Sequence, residues 1–335
     1  MKRVLYIVSV LLVSVLLVCS MLIAALMSDK VETAAVQLVT AEFSRALGTR
    51  AQVGSVAYRF PARLALNDVY IEDQQSDTLA FVGEVYAHFS SLALRNNEIR
   101  FSHVRLSNVV AKIYRTDGVW NYQFLADAFR SDKAAQPLRS LISVRDIQLE
   151  SIRLQYEDHT LLLSRAKMDL HQLSEEVLDA EIRELAMQIT NDQSPVTNRP
   201  SPFIVEDMKA HVILNDTMLS APTLRAQLPN SRLDLSGIKV QFPDVDTLYL
   251  SRSAHEITFA LNFNEAQLVP SDIALFMPRL KGLKRPITMD GGLTGTLDSL
   301  AFHDIAVRYN GATLLKAMSA QSACRTSTTP TCGRT

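Results

Sequence analysis

The chain is short of cysteine, with three in 335 residues at Cys19, Cys324 and Cys332. Three thiols build neither a disulfide framework nor a four-ligand structural zinc site. Glycine and proline are also scarce, at 11 and 12, which excludes collagen-like and low-complexity chains. Neither sign of charge predominates, since 34 basic and 35 acidic side chains leave a net charge of −1. Without a basic surplus, strong non-specific binding to nucleic acid is excluded. What the chain does have is hydrophobic residues, 47% of the total. That much apolar surface can offset the entropy of folding, so extensive disorder is excluded too.

Signatures of catalysis are missing as well. His88, His103, His159, His171, His211, His255 and His303 are scattered, without an i, i+4 pair or a nearby Cys partner. There is no G-x-S-x-G, no H-E-x-x-H and no Walker-type glycine loop. Gly291-Gly292-Leu293-Thr294-Gly295 lies inside an alternating run and lacks the following Lys-Ser/Thr, so it reads as strand and turn. Glu175 with Glu176, and Asp244 with Asp246, read as solvated carboxylate pairs. The sequon Asn215-Asp216-Thr217 matters only in a secretory pathway with glycosylation. The expectation is a protein that is not an enzyme and carries no cofactor or metal.

The N-terminus is the longest apolar run. Lys2 and Arg3 precede Val4 to Ser28, which contain no charge. As a helix this run spans roughly 37 Å, enough for a bilayer core of about 30 Å. It is longer than the apolar region of a cleavable signal peptide and ends in a weak cleavage site, so it reads as an uncleaved anchor. Val18 stands where a lipoprotein would need a small residue before Cys19. The basic pair lies before the span, against Lys30 between Asp29 and Glu32 after it. That bias places the N-terminus in the cytoplasm and the rest outside.

Val31 to Leu47 carries apolar residues at helical spacing, which predicts a short helix ending at Gly48. From Ala51 onward the period falls to two, the mark of half-buried strands. Strands are predicted over Ala51–Phe60, Arg63–Glu72, Thr78–Ser90, Glu98–Ser107, Val109–Arg115, Thr160–His171 and Glu181–Thr190. Further ones fall over Phe203–Asn215, Met218–Gln227, Ser231–Phe242, Glu256–Asn264 and between Pro286 and Tyr309. Arg95-Asn96-Asn97 and Thr116-Asp117-Gly118 read as turns. Short helical turns are expected after Asn121 and over Ser271–Phe276, a polar linker over Ser131–Gln136 and a loop over Asn191–Pro202. Aligning Ile99–Tyr114 with Ile142–Glu157 leaves seven of sixteen positions apolar in both, seven polar in both and two mixed. This pattern predicts a recurring hairpin unit.

The order of these segments resembles a known family. Ala46-Leu47-Gly48-Thr49-Arg50-Ala51-Gln52-Val53-Gly54-Ser55-Val56, after a span and a short helix, resembles the N-terminal region of the AsmA-like superfamily, TamB-type (translocation and assembly module). Leu64-Ala65-Leu66-Asn67-Asp68-Val69-Tyr70-Ile71-Glu72-Asp73, Asp77-Thr78-Leu79, Val104-Arg105-Leu106-Ser107 and Asp117-Gly118-Val119-Trp120-Asn121-Tyr122-Gln123-Phe124 continue the likeness. So do Leu268-Val269-Pro270-Ser271-Asp272-Ile273-Ala274-Leu275-Phe276-Met277-Pro278 and Gly291-Gly292-Leu293-Thr294-Gly295-Thr296-Leu297-Asp298-Ser299-Leu300, which resemble the family's repeated segments.

The resemblance implies a mainly β protein: an N-terminal transmembrane helix followed by an elongated, curved antiparallel β-sheet groove of repeated hairpins with a few short helices. The expected divisions are an anchor over 1–28, a juxtamembrane helix over 29–48, groove segments over 49–130 and 131–318, and a tail over 319–335. It implies an inner-membrane, single-pass protein with its bulk in the periplasm, serving outer-membrane biogenesis. Its groove would carry phospholipid between membranes or assist assembly of outer-membrane proteins with a barrel partner. The alternative is a membrane-anchored periplasmic scaffold or adaptor that binds only protein partners. The expected groove lining is Val85, Ala87, Phe89, Ile99, Phe101, Val109, Ala111, Ile113, Ile152, Leu154 and Tyr156, since residues two apart share a face. Such proteins run far longer, and Ala317 to Thr335 loses the alternation. The expectation is therefore a truncated product with a frame-shifted, unstructured tail. A reporter fused after Leu47 is expected to be active only as an exported enzyme, and cytoplasmic activity there would overturn the orientation.

Overall fold

The computed structural model describes residues 44, 48–59, 63–93, 98–124, 141–174, 176–191, 202–243, 257–276, 282, 284–296, 299–309, 312–317 and 320–322. The expected anchor over 1–28, nearly all of the juxtamembrane helix and most of the Asn191–Pro202 loop lie outside these residues. Among the described residues no helix is long and apolar enough to cross a membrane. The chain is mainly β, as its period-two alternation requires.

Two compact units divide the chain: residues 1–174 with 184–202, and residues 175–183 with 203–335. Unit 1 is built from β1 (Ala51–Arg59), β2 (Arg63–Glu72), β3 (Thr78–Ala93), β4 (Glu98–Ile113), β7 (Leu141–Tyr156) and β8 (His159–Leu173), hydrogen-bonded in that order. A small separate ladder, β5 (Arg115–Thr116) with β6 (Val119–Trp120), sits between β4 and β7 in the chain. Strand β9 (Val177–Asn191) contributes its first residues to unit 2 and the remainder to unit 1.

Unit 2 continues with β10 (Phe203–Val205), β11 (Asp207–Asn215), β12 (Met218–Gln227), β13 (Arg232–Gln241), β14 (Thr258–Leu268), β15 (Ile287–Thr296), β16 (Leu300–Tyr309), β17 (Ala312–Ala317) and β18 (Ala320–Ser322). From β11 to β17 each strand pairs antiparallel with the next in sequence, a meander whose connections are short except those from β13 to β14 and from β14 to β15. The expected helical turn is present as a 3-10 turn over Pro270–Ile273.

Three expectations need correction. Glu98–Ile113 is one strand, where the alternation read as two strands parted at Asn108. The aligned segments are likewise not hairpins: β4 and β7 are single strands lying side by side in parallel. Their register pairs Ile99 with Ile142, Phe101 with Val144, Val104 with Ile147 and Ile113 with Tyr156, the same offset at which the sequences align. In a parallel in-register ladder, like pattern faces like, so the sequence similarity is that of two neighbours burying one face. Lastly, Ala320–Ser322 lies in the tail expected to be unstructured, yet it pairs with Leu300–Phe302 of β16. A ladder uses backbone groups and does not depend on side-chain alternation.

The strand break read at Asn108 marks a real feature. Asp68, Asn108 and Ser151 adopt left-handed backbone, with φ of 54°, 57° and 55°. On one side of each, the buried face is held by Leu64 and Leu66, Val104 and Leu106, and Ile147 and Leu149. On the other it passes to Val69 and Ile71, Ala111 and Ile113, and Leu154. The step across each is odd, three residues from Leu66 to Val69 and five from Leu106 to Ala111 and from Leu149 to Leu154, where regular pleating keeps a face at even steps. The ladders show why no face is lost. Asp68 falls between paired residues beside Gly54 on one neighbour and Gly83 on the other, and Asn108 lies beside Gly83 and Ser151. All these strands therefore change phase along one line across the sheet.

Glycine serves that line by leaving room. A Cβ on Gly54 would sit 2.9 Å from Asp68 Cβ, and one on Gly83 would sit 2.9 Å from Asn108 Cβ. Asn and Asp tolerate the left-handed region better than most residues, while β-branched residues do not. Replacing Asn108 by Val is expected to cost about 1–2 kcal/mol, with Asn108→Gly close to neutral, as read by urea unfolding. Equal losses for both would show that the backbone there is not what matters.

Candidate functional site

The expected groove residues are brought together. Their partners across the ladders place Val85, Ala87 and Phe89 of β3 opposite Leu106, Val104 and Phe101 of β4. The parallel ladder then sets Val109, Ala111 and Ile113 beside Ile152, Leu154 and Tyr156. Directly paired residues share a face, so all lie on one side of unit 1. Ile99 joins the same register through Ile142. The face is well covered: Val85, Ala87, Phe101 and Ile113 are 1%, 0%, 2% and 1% exposed. Phe89, Ala111 and Leu154 are also buried, while Val109, Ile152 and Tyr156 are partly so. Phe89 and Phe101 pack with ring centroids 4.5 Å apart.

One covering group is visible at the Ile113 end. Trp120 and Tyr122, from the segment that leaves β4, are buried in a cluster with Ala51, Ile71, Ala80, Ala111, Ile113 and Leu154. Trp120 stacks on Tyr156 at 5.5 Å, and the Arg115 guanidinium lies 4.7 Å from the Trp120 ring. The segment turns through Asp117 and Gly118, both at positive φ, which is the chemistry of a tight hairpin. The sequence marked that turn but not the role of the aromatic residues after it.

A buried carboxylate fixes this end. Asp73 is 2% exposed. Its Oδ1 accepts the backbone N–H groups of Gln75 and Asp77 at 2.9 Å each. Its Oδ2 accepts the Tyr114 hydroxyl and the Asn121 amide, the latter at 3.4 Å. Asn121 Nδ2 also donates to Lys112 O at 3.0 Å, its N–H donates to Tyr114 O at 3.0 Å, and its Oδ1 accepts Tyr114 N–H at 3.2 Å. Buried polar groups are costly unless bonded in this way. Burial, then the hydrogen bond and charge of Asp73, push the Tyr114 hydroxyl up to about 12.

Unit 2 presents a different surface. Leu224, Leu235 and Phe263 follow one another across β12, β13 and β14, and Leu261, Leu293 and Phe302 across β14, β15 and β16. These bulky side chains are partly exposed. On the strands of this unit many of the buried apolar positions are small: Ala180, Ala210, Ala221, Ala226 and Ala266. Among the described residues, the largest fully buried side chains are Leu64, Leu66, Leu79, Ile113, Ile147, Val85, Val104 and Val144 in unit 1 and Leu228 in unit 2. Sequence reasoning did not single out this face, although its alternation was visible.

The opposite faces are polar. Arg225 of β12 bonds Asp234 of β13 at 3.0 Å, and Asn264 donates to the same carboxylate at 3.1 Å. The Asn264 hydrogen bond, with help from Arg225, holds Asp234 below the usual carboxylate range. Histidines pair locally: His103 Nδ1 with Asp146 at 2.6 Å, His211 Nε2 with Asp179 at 2.8 Å and His303 Nε2 with Thr294 at 2.8 Å. Among the described residues no group of three or more His, Cys, Asp or Glu side chains could hold a metal ion. Gly291 to Gly295 lie within β15, as strand. A Cβ on Gly291 would come 2.4 Å from Asp304 O of the adjoining strand, which is why glycine stands there.

The raised Tyr114 value carries a sign. A hydroxyl that keeps its proton to about 12 when folded, and to about 10 when unfolded, adds stability below pH ~10 that is lost as pH rises towards 12. Between those values the unfolding midpoint in urea is expected to fall more steeply for the wild type than for Tyr114→Phe. Parallel curves would show that Tyr114 titrates as an ordinary tyrosine. Compared with known proteins, the chain matches no family model, no curated protein and no solved structure.

Proposed function

We propose that this chain is an inner-membrane-anchored periplasmic protein of outer-membrane biogenesis, whose one-sided apolar sheet carries the acyl chains of phospholipids between membranes. The AsmA-like, TamB-type resemblance of the sequence motivates the reading. The observation that supports it most is the apolar face of unit 2, where Leu235, Leu261, Phe263, Leu293 and Phe302 stay partly open across consecutive strands. Apolar area left accessible over a contiguous surface marks a place of interaction.

Acyl chains suit that surface in kind and in energy. Each methylene removed from water contributes about 0.8 kcal/mol, so an exposed chain of a phospholipid needs an apolar path throughout its transfer. A row of Leu and Phe side chains supplies contacts that are non-directional and nearly equivalent from strand to strand. A chain can then slide without breaking any strong single bond. Such transfer asks for no nucleophile, base or cofactor. The same face could serve assembly of outer-membrane proteins by holding their apolar segments, and a barrel partner would receive either cargo.

Photoreactive residues at Leu235, Leu261 and Leu293 of the full chain in cells are expected to give phospholipid adducts. Those at Ser236, Asn262 and Thr294, on the opposite face, are expected to give none. Lipid adducts of equal strength on both faces would overturn the assignment. Protein adducts alone on the apolar face would favour the scaffold reading.

A further inference from the structure

The parallel pairing of β4 with β7 forces the chain between them to return along the sheet, because parallel neighbours cannot be joined by a tight turn. The first part of that return, Arg115–Phe124, lies on the apolar face of unit 1. Trp120 and Tyr122 occupy the end formed by Ile113, Leu154 and Tyr156. They cover there the kind of surface that unit 2 leaves partly open.

Little secondary structure holds this segment in place. Its ladder is two residues on each strand, far below what a free-standing hairpin needs. Its tip is open, with Val119 59% exposed. Among the contacts that fasten it are the aromatic burial, the clasp of Asn121 by Asp73, Lys112 O and Tyr114, and the ion pair of Arg115 with Glu157 at 2.8 Å. We propose that Arg115–Phe124 is a displaceable strap: Trp120 and Tyr122 fill the end of the unit 1 face in place of an acyl chain, and strap and chain exclude each other. This rests on the acyl-chain reading above.

Trp120 is the chain's single tryptophan, so its fluorescence reports the strap alone. The full chain in amphipol would be titrated with a dibrominated stearate, alongside Asn121→Ala and Asp73→Asn, each with a photoreactive residue at Ile113 or Leu261. In the wild type, saturable addition of the fatty acid is expected to red-shift Trp120, because exclusion is reciprocal. In both variants Trp120 is expected to be red-shifted before any addition. Adducts at Ile113 are expected to form at about tenfold lower fatty-acid concentration, as removal of a competing closed state predicts. The proposal is overturned if Trp120 stays buried in the saturated wild type. It is equally overturned if Trp120 is released while Ile113 gains no adducts and Leu261 keeps its own. Absence of adducts at both Ile113 and Leu261 in every form would instead sink the acyl-chain reading itself. The wild-type titration decides the matter even where a variant loses its β circular dichroism.

Discussion

A sheet can keep one face apolar only if every strand agrees on which residues point to it. A slip of one residue turns a strand's whole apolar set to the other side. In unit 1 the strands do slip, but together. Asp68, Asn108 and Ser151 take the left-handed conformation beside glycines or beside one another, and their neighbours change phase at the same level. The burial of Leu64, Val104 and Ile147 on one side of that line, and of Ile71, Ile113 and Leu154 on the other, depends on this agreement.

The two units use the same one-sided pattern to different ends. In unit 1, large aliphatic side chains are fully withdrawn from water, and an aromatic segment lies over one end of their face. In unit 2, alanines fill many of the withdrawn positions, while Leu and Phe stay partly open. Small residues beside bulky ones on the same strands leave an uneven surface, as where Ala226 stands two residues from Leu224. That relief, more than hydrophobicity alone, is what makes unit 2 the better candidate for contact with an extended apolar chain.

Much of this fold was legible in the sequence, because alternation needs only a polar-apolar count. Arg63–Glu72 and Met218–Gln227 match their strands end to end. Failures occurred where a backbone event replaced a residue preference. The alternation breaks at Asn108 and so read as two strands, yet Asn108 carries a phase change inside one strand. The offset between Ile99–Tyr114 and Ile142–Glu157 was found, but similarity cannot distinguish a repeat from a neighbour in register. The ladders set the groove candidates side by side on β3, β4 and β7. Their depth was not readable, since burial depends on what lies above a residue, and Trp120 and Tyr122 come from a segment with no alternation. Asp73 gave no signal because its partners are backbone groups and distant side chains.

Order of assembly is set by the parallel pair. In unit 2 most strands meet their sequence neighbours across short turns, so contacts stay local and each ladder can zip as soon as its hairpin closes. Strand β4 meets β7 only after the chain from 114 to 140 has been spanned, and loop closure of that length is paid before any contact rewards it. The β4–β7 ladder is therefore the slow join of the molecule. Until it forms, the apolar edges of the β1–β4 meander and of the β7–β8 hairpin stand apart. A nascent chain would be most prone to pair with the wrong neighbour at that point.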